Sequence, residues 1–161
     1  MAAVAGARAA VVTVSDRSHA GLRPDTSGPL LAELLTGLGL EVSPVVVVPD
    51  DPDAIAAAVR FGAQGHDLVV TTGGTGLAPR DVTPEAVAPL LDRQVPGIAE
   101  ALRLDSRSAV PTAVLSRGVA GLIGATLVVT LPGSTGGVRD GVAVLAPVLG
   151  HALAQLRGGD H

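Results

Sequence analysis

The residues with the most chemistry in them lie between Asp67 and Pro84, which reads Asp-Leu-Val-Val-Thr-Thr-Gly-Gly-Thr-Gly-Leu-Ala-Pro-Arg-Asp-Val-Thr-Pro. Gly73, Gly74 and Gly76 are separated only by Thr75, so the backbone can turn sharply and bring its N–H groups close to a ligand with no Cβ in the way. Arg80 and Asp81 follow. A carboxylate beside phosphate-binding amides repels an anion unless a cation stands between them. Mg²⁺, which pairs one or two carboxylates with substrate phosphates, suits that arrangement. The plainer alternative is a tight loop at a strand end with no ligand.

Two familiar phosphate loops do not fit. All eleven basic residues are arginine, so a P-loop lysine is impossible. A dinucleotide fingerprint opens its helix directly from the glycines, whereas Pro79 and Pro84 intervene here.

Other strand-like runs also end in polar or glycine-rich turns. Ala9–Val14 leads into Ser15-Asp16-Arg17, where the polar pair either contacts phosphate, ribose or metal or forms an ordinary turn. Glu41–Val48 reads as a second strand and ends in Pro49-Asp50-Asp51-Pro52-Asp53. Asp51 and Pro52 suit an N-cap and first helical residue. Asp50 is left over, to share the Mg²⁺ with Asp81 or hold a nucleotide hydroxyl. Val110–Leu115 is expected as a short extended stretch ending in Ser116-Arg117-Gly118, with Gly121 and Gly124 bracketing a turn. Thr126–Leu131 repeats the pattern with Pro132-Gly133-Ser134-Thr135-Gly136-Gly137 before a closing helix.

Helices must lie between these runs. Thr26 or Ser27 caps a stripe of Leu30, Leu31, Leu34, Leu35 and Leu38. The helix after Pro52 turns Ile55, Ala58, Val59 and Phe61 inward, and Thr83-Pro84-Glu85 reads as N-cap, first-turn proline and first-turn acid. A further helix starts at Pro96 and runs to about Arg107. Val138, Val142, Leu145, Leu149, Leu153 and Leu156 line the last one. Alternating strand and helix predicts an α/β three-layer sandwich, its mostly parallel central sheet covered by helices on both faces. Residues 1–7 and 158–161 read as loose tails around one domain, 8–157. His19, His66 and His151 read as loop, cap and helix residues.

Composition narrows the function. Phe61 is the only aromatic residue and there is no cysteine, so thiolate chemistry and Cys-ligated metals are excluded. No lysine means no Schiff base. A formal charge of −4 without tyrosine or tryptophan argues against nucleic acid. No apolar run is long enough for a membrane span, and a cytoplasmic location is expected.

Ser15-Asp16-Arg17, Thr72-Gly73-Gly74-Thr75-Gly76, Arg80-Asp81-Val82-Thr83-Pro84, Leu115-Ser116-Arg117 and Leu131-Pro132-Gly133 resemble, in order and over about residues 8–157, the motifs of MogA/MoaB proteins and of the homologous gephyrin domain. The resemblance implies a trimer, or a hexamer, in molybdenum cofactor synthesis. It also implies Mg²⁺-dependent transfer of AMP from ATP to the terminal phosphate of molybdopterin, with release of pyrophosphate. Asp81 and Asp50 would be the functional acids and metal ligands. Ser15, Asp16, Thr72, Gly73, Gly74, Thr75, Gly76, Arg80, Ser116, Arg117, Gly133 and Ser134 would contact substrate. Molybdopterin, ATP and a molybdenum-insertion enzyme are the implied partners. Pro132-Gly133-Ser134-Thr135 is closer to the MoaB branch, some of whose members bind without catalysing transfer, while the intact Arg-Asp-Val-Thr-Pro run points to the active branch.

Overall fold

The computed structural model describes residues 4–105 and 110–159. Its strands are β1 (Arg8–Val14), β2 (Glu41–Val42), β3 (Val46–Val48), β4 (Leu68–Thr72), β5 (Arg93–Gln94), β6 (Ala120–Ile123) and β7 (Thr126–Leu131). Its α-helices are α1 (Asp16–His19), α2 (Ser27–Gly37), α3 (Pro52–Ala63), α4 (Thr83–Val87), α5 (Pro96–Asp105) and α6 (Thr135–Leu156).

Both β2 and β3 pair with β1, and the sheet continues through β4, β7 and β6 to β5. β1, β2, β3, β4 and β7 are parallel; β6 runs against β7, and β5 against β6. β1 and β4 alternate their apolar residues between two cores. Ala9, Val11, Leu68 and Val70 face Leu31, Leu35, Leu145 and Leu149 from α2 and α6. Ala10, Val12 and Val69 face Ile55, Val59 and Val87 from α3 and α4. A sheet buried on both faces between helix layers is the expected three-layer sandwich.

Several local expectations are corrected. The run from Glu41 to Val48 is two strands, because Pro44 has no N–H to give the ladder. Val110–Leu115 is not extended: Pro111–Leu115 is a 3₁₀ turn. The strands that sequence reading missed are β5 and β6, and Gly121 lies inside β6, where an added Cβ would come within 2.5 Å of the Arg93 carbonyl. Gly124, at φ 57°, makes the β6–β7 turn. Phe61 is 74% exposed, since Ile55, Val59 and Gly62 set the inward face of α3 and Phe61 is out of phase with them.

The α2 cap is supplied by Asp25, whose Oδ1 accepts from the Gly28 N–H at 3.0 Å, rather than by Thr26 or Ser27. Val82 takes the cap position of α4, and Thr83 is already helical. The segment 4–7 is no loose tail: Val4 and Ala7 are buried in the α2/α6 core. Gly158 and Gly159 fold back on the end of α6, the Gly159 N–H donating to the Ala154 carbonyl at 2.9 Å. The expected helix end at Arg107 lies outside the described residues.

Truncating Ile55 to alanine should cost about 2–5 kcal/mol, whereas Phe61→Ala should change stability by no more than about 0.5 kcal/mol. Equilibrium urea unfolding of both variants checks the assignment of the two α3 faces.

Candidate functional site

Parallel strands end on one side, and the register fixes which ends meet. Thr72 of β4 lies opposite Thr13 of β1 and Leu131 of β7. Gly73 therefore leaves the sheet between two neighbours: its N–H donates to the Leu131 carbonyl at 2.9 Å. With φ 107°, it has room for no Cβ, which would come 2.3 Å from the Val14 carbonyl oxygen. Gly133, after β7, packs on it, an added Cβ falling 3.2 Å from Gly73 Cα. Thr72 Oγ1 ties the two turns by donating to the Pro132 carbonyl at 2.8 Å.

Gly74, at φ 71°, is fixed from the α4 side. The Thr83 N–H donates to the Gly74 carbonyl at 3.1 Å, and Thr83 Oγ1 to the Gly73 carbonyl at 2.9 Å. The buried threonine thus clasps the glycine cradle instead of capping its helix. The Asp81 carboxylate returns to the same place. Its Oδ2 accepts from the Ala78 N–H at 3.0 Å and lies 2.8 Å from where a Gly76 Cβ would stand.

Asp50 reaches the cradle from the end of β3, its Oδ1 3.4 Å from the corresponding point on Gly74. It exchanges hydrogen bonds with Asp16: the Asp16 N–H donates to Asp50 Oδ2 at 3.0 Å, and the Asp50 N–H to Asp16 Oδ1 at 2.9 Å. Asp16 also pairs with Arg80, whose Nε donates to Oδ2 at 2.5 Å. Burial raises the Asp50 pKa above the ordinary aspartate value, and the Asp16 and Asp81 charges push the same way; the Asp16 N–H opposes them. The Asp16 carboxyl is lowered by the Asp50 N–H and by Arg80.

The cradle opens into a cleft of about 650 Å³. Gly74, Thr75, Gly76, Asp81, Ser116, Gly133 and Ser134 line it, so these expected site residues are brought together. Ser15 and Thr72 line a separate small pocket of about 40 Å³. Ser15 Oγ accepts from the Ser18 N–H at 3.2 Å, which makes it the α1 cap. Gly73, Asp16, Asp50, Arg80 and Arg117 do not line the large cleft. Arg117 spends its guanidinium on the Gly76 and Asp81 carbonyls and on Glu85.

The start of α6 also faces the cleft through Ser134, Gly136 and Gly137. Ser134 Oγ accepts from the Gly137 N–H at 3.0 Å, while the N–H groups of the first turn lack helical acceptors, as at every helix start. That end attracts anions.

Sequence reading missed Arg103 and Asp140, which line the cleft. Arg103 Nη1 donates to the Ser116 and Gly118 carbonyls at 3.3 and 3.0 Å. The spacing Gly136-Gly137-Asp140-Gly141 repeats on one face of α6 and carried the signal for Asp140.

The sequence matches, over residues 10–151, the family described as "Probable molybdopterin binding domain". The chain belongs to that family. It is the MogA/MoaB group that the motifs resemble. The "Molybdenum cofactor biosynthesis bifunctional protein" of Synechococcus elongatus is 46% identical over 160 residues, 99% of this chain and 50% of that protein. The "Molybdenum cofactor biosynthesis protein B" of Bacillus cereus is 40% identical over 92% of this chain and 90% of its own. The chain thus spans about half the length of the bifunctional relatives it matches. A solved molybdopterin biosynthesis protein from Mycobacterium abscessus superposes with a TM-score of 0.90, at 52% identity and over 94% of this chain and 97% of that one.

Whether the family site suits a metal is a matter of its donors. Among the described residues no group of three or more His, Cys, Asp or Glu side chains forms a ready-made metal cage. Asp50 and Asp81, flanking Gly74 and Gly76, fit Mg²⁺, which takes one or two carboxylates and fills its shell with waters and phosphate oxygens.

Because folding raises the Asp50 pKa, its contribution to stability is full at low pH and is lost as pH rises through the folded value. Asp50→Asn, which keeps an acceptor for the Asp16 N–H, should be at least as stable as the parent at pH 7 and converge with it in acid. Denaturation at a series of pH values measures this. Gly76→Ala should push the Asp81 carboxylate aside and lower activity about 100-fold while the melting temperature changes little.

Proposed function

We propose that the chain acts in molybdenum cofactor biosynthesis by transferring AMP from ATP to the terminal phosphate of molybdopterin. The observation that carries this reading is the Asp81 carboxylate set against the Gly76 backbone at the mouth of an anion-friendly cleft. Molybdopterin is the ligand that the family's description names, and ATP is the donor that the resemblance of the motifs implies.

A phosphate monoester is already an anion near neutral pH. One of its oxygens attacks the α-phosphorus of ATP, the bond to the bridging oxygen breaks, and pyrophosphate leaves with that electron pair. No serine, cysteine or strong base is required, which agrees with a chain lacking cysteine and lysine. The task is alignment of two anions and cancellation of their repulsion.

The cradle amides around Gly74 and Gly76 and the first turn of α6 offer N–H groups and a positive helix end to the phosphates. Asp81 and Asp50 would hold Mg²⁺, which when bound neutralises phosphate charge. The apolar side of the cleft, from Leu77, Ala99 and Leu102, offers apolar surface to a ring system. Arg103 brings a cation to the same cleft.

The binding-only reading of the MoaB-like turn is separated by one assay. Incubation with ATP, Mg²⁺ and molybdopterin should release pyrophosphate only when the pterin is present; tight pterin binding without release would assign the chain to the carriers. Asp81→Asn should cut turnover by about two orders of magnitude or more with an unchanged circular dichroism spectrum. Unaltered turnover would take Asp81 out of the mechanism.

A further inference from the structure

Arg117 lies in the connection between the Pro111–Leu115 turn and β6, and four bonds join it to the segment carrying the acid. Its backbone N–H donates to the Thr75 carbonyl at 2.8 Å. Nε donates to the Gly76 carbonyl at 2.8 Å and Nη2 to the Asp81 carbonyl at 2.7 Å. Nη1 donates to Glu85 Oε1 in the first turn of α4. The hydrogen bond from Arg117 lowers the Glu85 pKa, which favours the charged carboxylate beside the guanidinium.

A guanidinium recognises phosphate best through two adjacent N–H groups acting as a fork. Each nitrogen of Arg117 already has a partner, and three of its five N–H groups are spent on this one segment, so no nitrogen is wholly free for a phosphate. The partners themselves are informative. Gly76 and Asp81 are the two ends of the loop that returns the carboxylate to the cradle, and that loop is closed locally by the Ala78–Asp81 turn, whose N–H groups bond at 2.9 and 3.0 Å. Arg117 gathers both end carbonyls to one point. In a trans peptide the next N–H points opposite to the carbonyl, so the same grip turns the N–H groups of Leu77 and Val82 away from the guanidinium. It also keeps two carbonyl oxygens from swinging freely beside a phosphate site.

We infer that Arg117 is a positioning residue: it clamps the Gly76–Asp81 loop so that the Asp81 carboxylate stays beside the cradle, and it does not bind substrate phosphate. The Mg²⁺, ATP and kinetic parts of the test rest on the proposed transferase reading. The hydrogen-exchange part does not.

In the ligand-free protein, Arg117→Ala should accelerate amide hydrogen exchange in residues 77–82 and leave the strands unchanged. The Mg²⁺ concentration that half-supports ATP binding, read by calorimetry, should rise about 10–100-fold, while ATP affinity at saturating Mg²⁺ stays within about twofold of the parent. Turnover should show the matching split, a lower kcat at unchanged KM for ATP. Arg117→Lys should recover little, because one ammonium cannot serve three spread acceptors, and added methylguanidine should restore part of the loss.

Unaltered exchange in 77–82, a large loss of ATP affinity at saturating Mg²⁺, or full rescue by lysine would overturn the inference in favour of a direct phosphate contact. Should Arg117→Ala fail to fold, the same exchange comparison on Arg117→Lys and Glu85→Gln decides. If the parent releases no pyrophosphate, the transferase reading fails, and the exchange result still stands or falls alone.

Discussion

The site depends on one steric constraint: three parallel strands end so close together that only backbone fits between them. β1, β4 and β7 are in register at Thr13, Thr72 and Leu131, and Gly73 must emerge where the Val14 carbonyl leaves 2.3 Å for any Cβ. Gly133 closes the third side. A left-handed backbone costs an ordinary residue roughly 1–2 kcal/mol, and the steric conflict with a carbonyl adds to that. Glycine here is a packing requirement first. The turn of the backbone through Gly74 toward the cleft is a consequence of the same geometry.

Around this junction the acids serve two purposes that compete. Asp16 and Asp50 cross-link the ends of β1 and β3 by accepting each other's N–H, which fixes the loops without any apolar packing. The same burial leaves Asp50 with a raised pKa and Asp81 as an additional nearby negative charge. An arrangement that disfavours the ionised acid, first by burial and then by the neighbouring Asp16 and Asp81 charges, would favour a cation placed beside it.

The parallel strands β1, β4 and β7 and the helix layers on both faces of the sheet were legible because they rest on local patterns: β-branched runs, leucines at helical spacing, glycines after strands. The departures came from tertiary effects. Phe61 was assigned inward on hydrophobicity, but the phase set by Ile55 and Val59 leaves it outside. β5 and β6 are short and rich in Ala, Gly, Arg and Gln, so nothing in their composition announces strands that β7 recruits across the sheet. Thr83 reads as a cap from sequence; only the position of Gly73 shows that its hydroxyl is spent on the cradle. Asp81, Gly74, Gly76 and Gly133 come together at the cleft as their spacing suggested, but Asp140 was not anticipated, and which arginine meets which acceptor depends on the fold of the chain between them.

That last point bears on how a chain with eleven arginines and no lysine handles anions. Arg80 is held by Asp16, and Arg117 by two carbonyls and Glu85. A guanidinium suits such work because its planar donors can satisfy several acceptors at once, where a mobile ammonium would satisfy one. In the proposed transferase, counter-charge for the reactants would fall to groups that need no side-chain ordering, the cradle amides and the start of α6, with a cation between the carboxylates. The amides and the helix start are set by the fold itself, and preorganised dipoles lower a charged barrier without having to reorient during reaction. Rigid arginine clamps and a rigid glycine junction are two means to that one end.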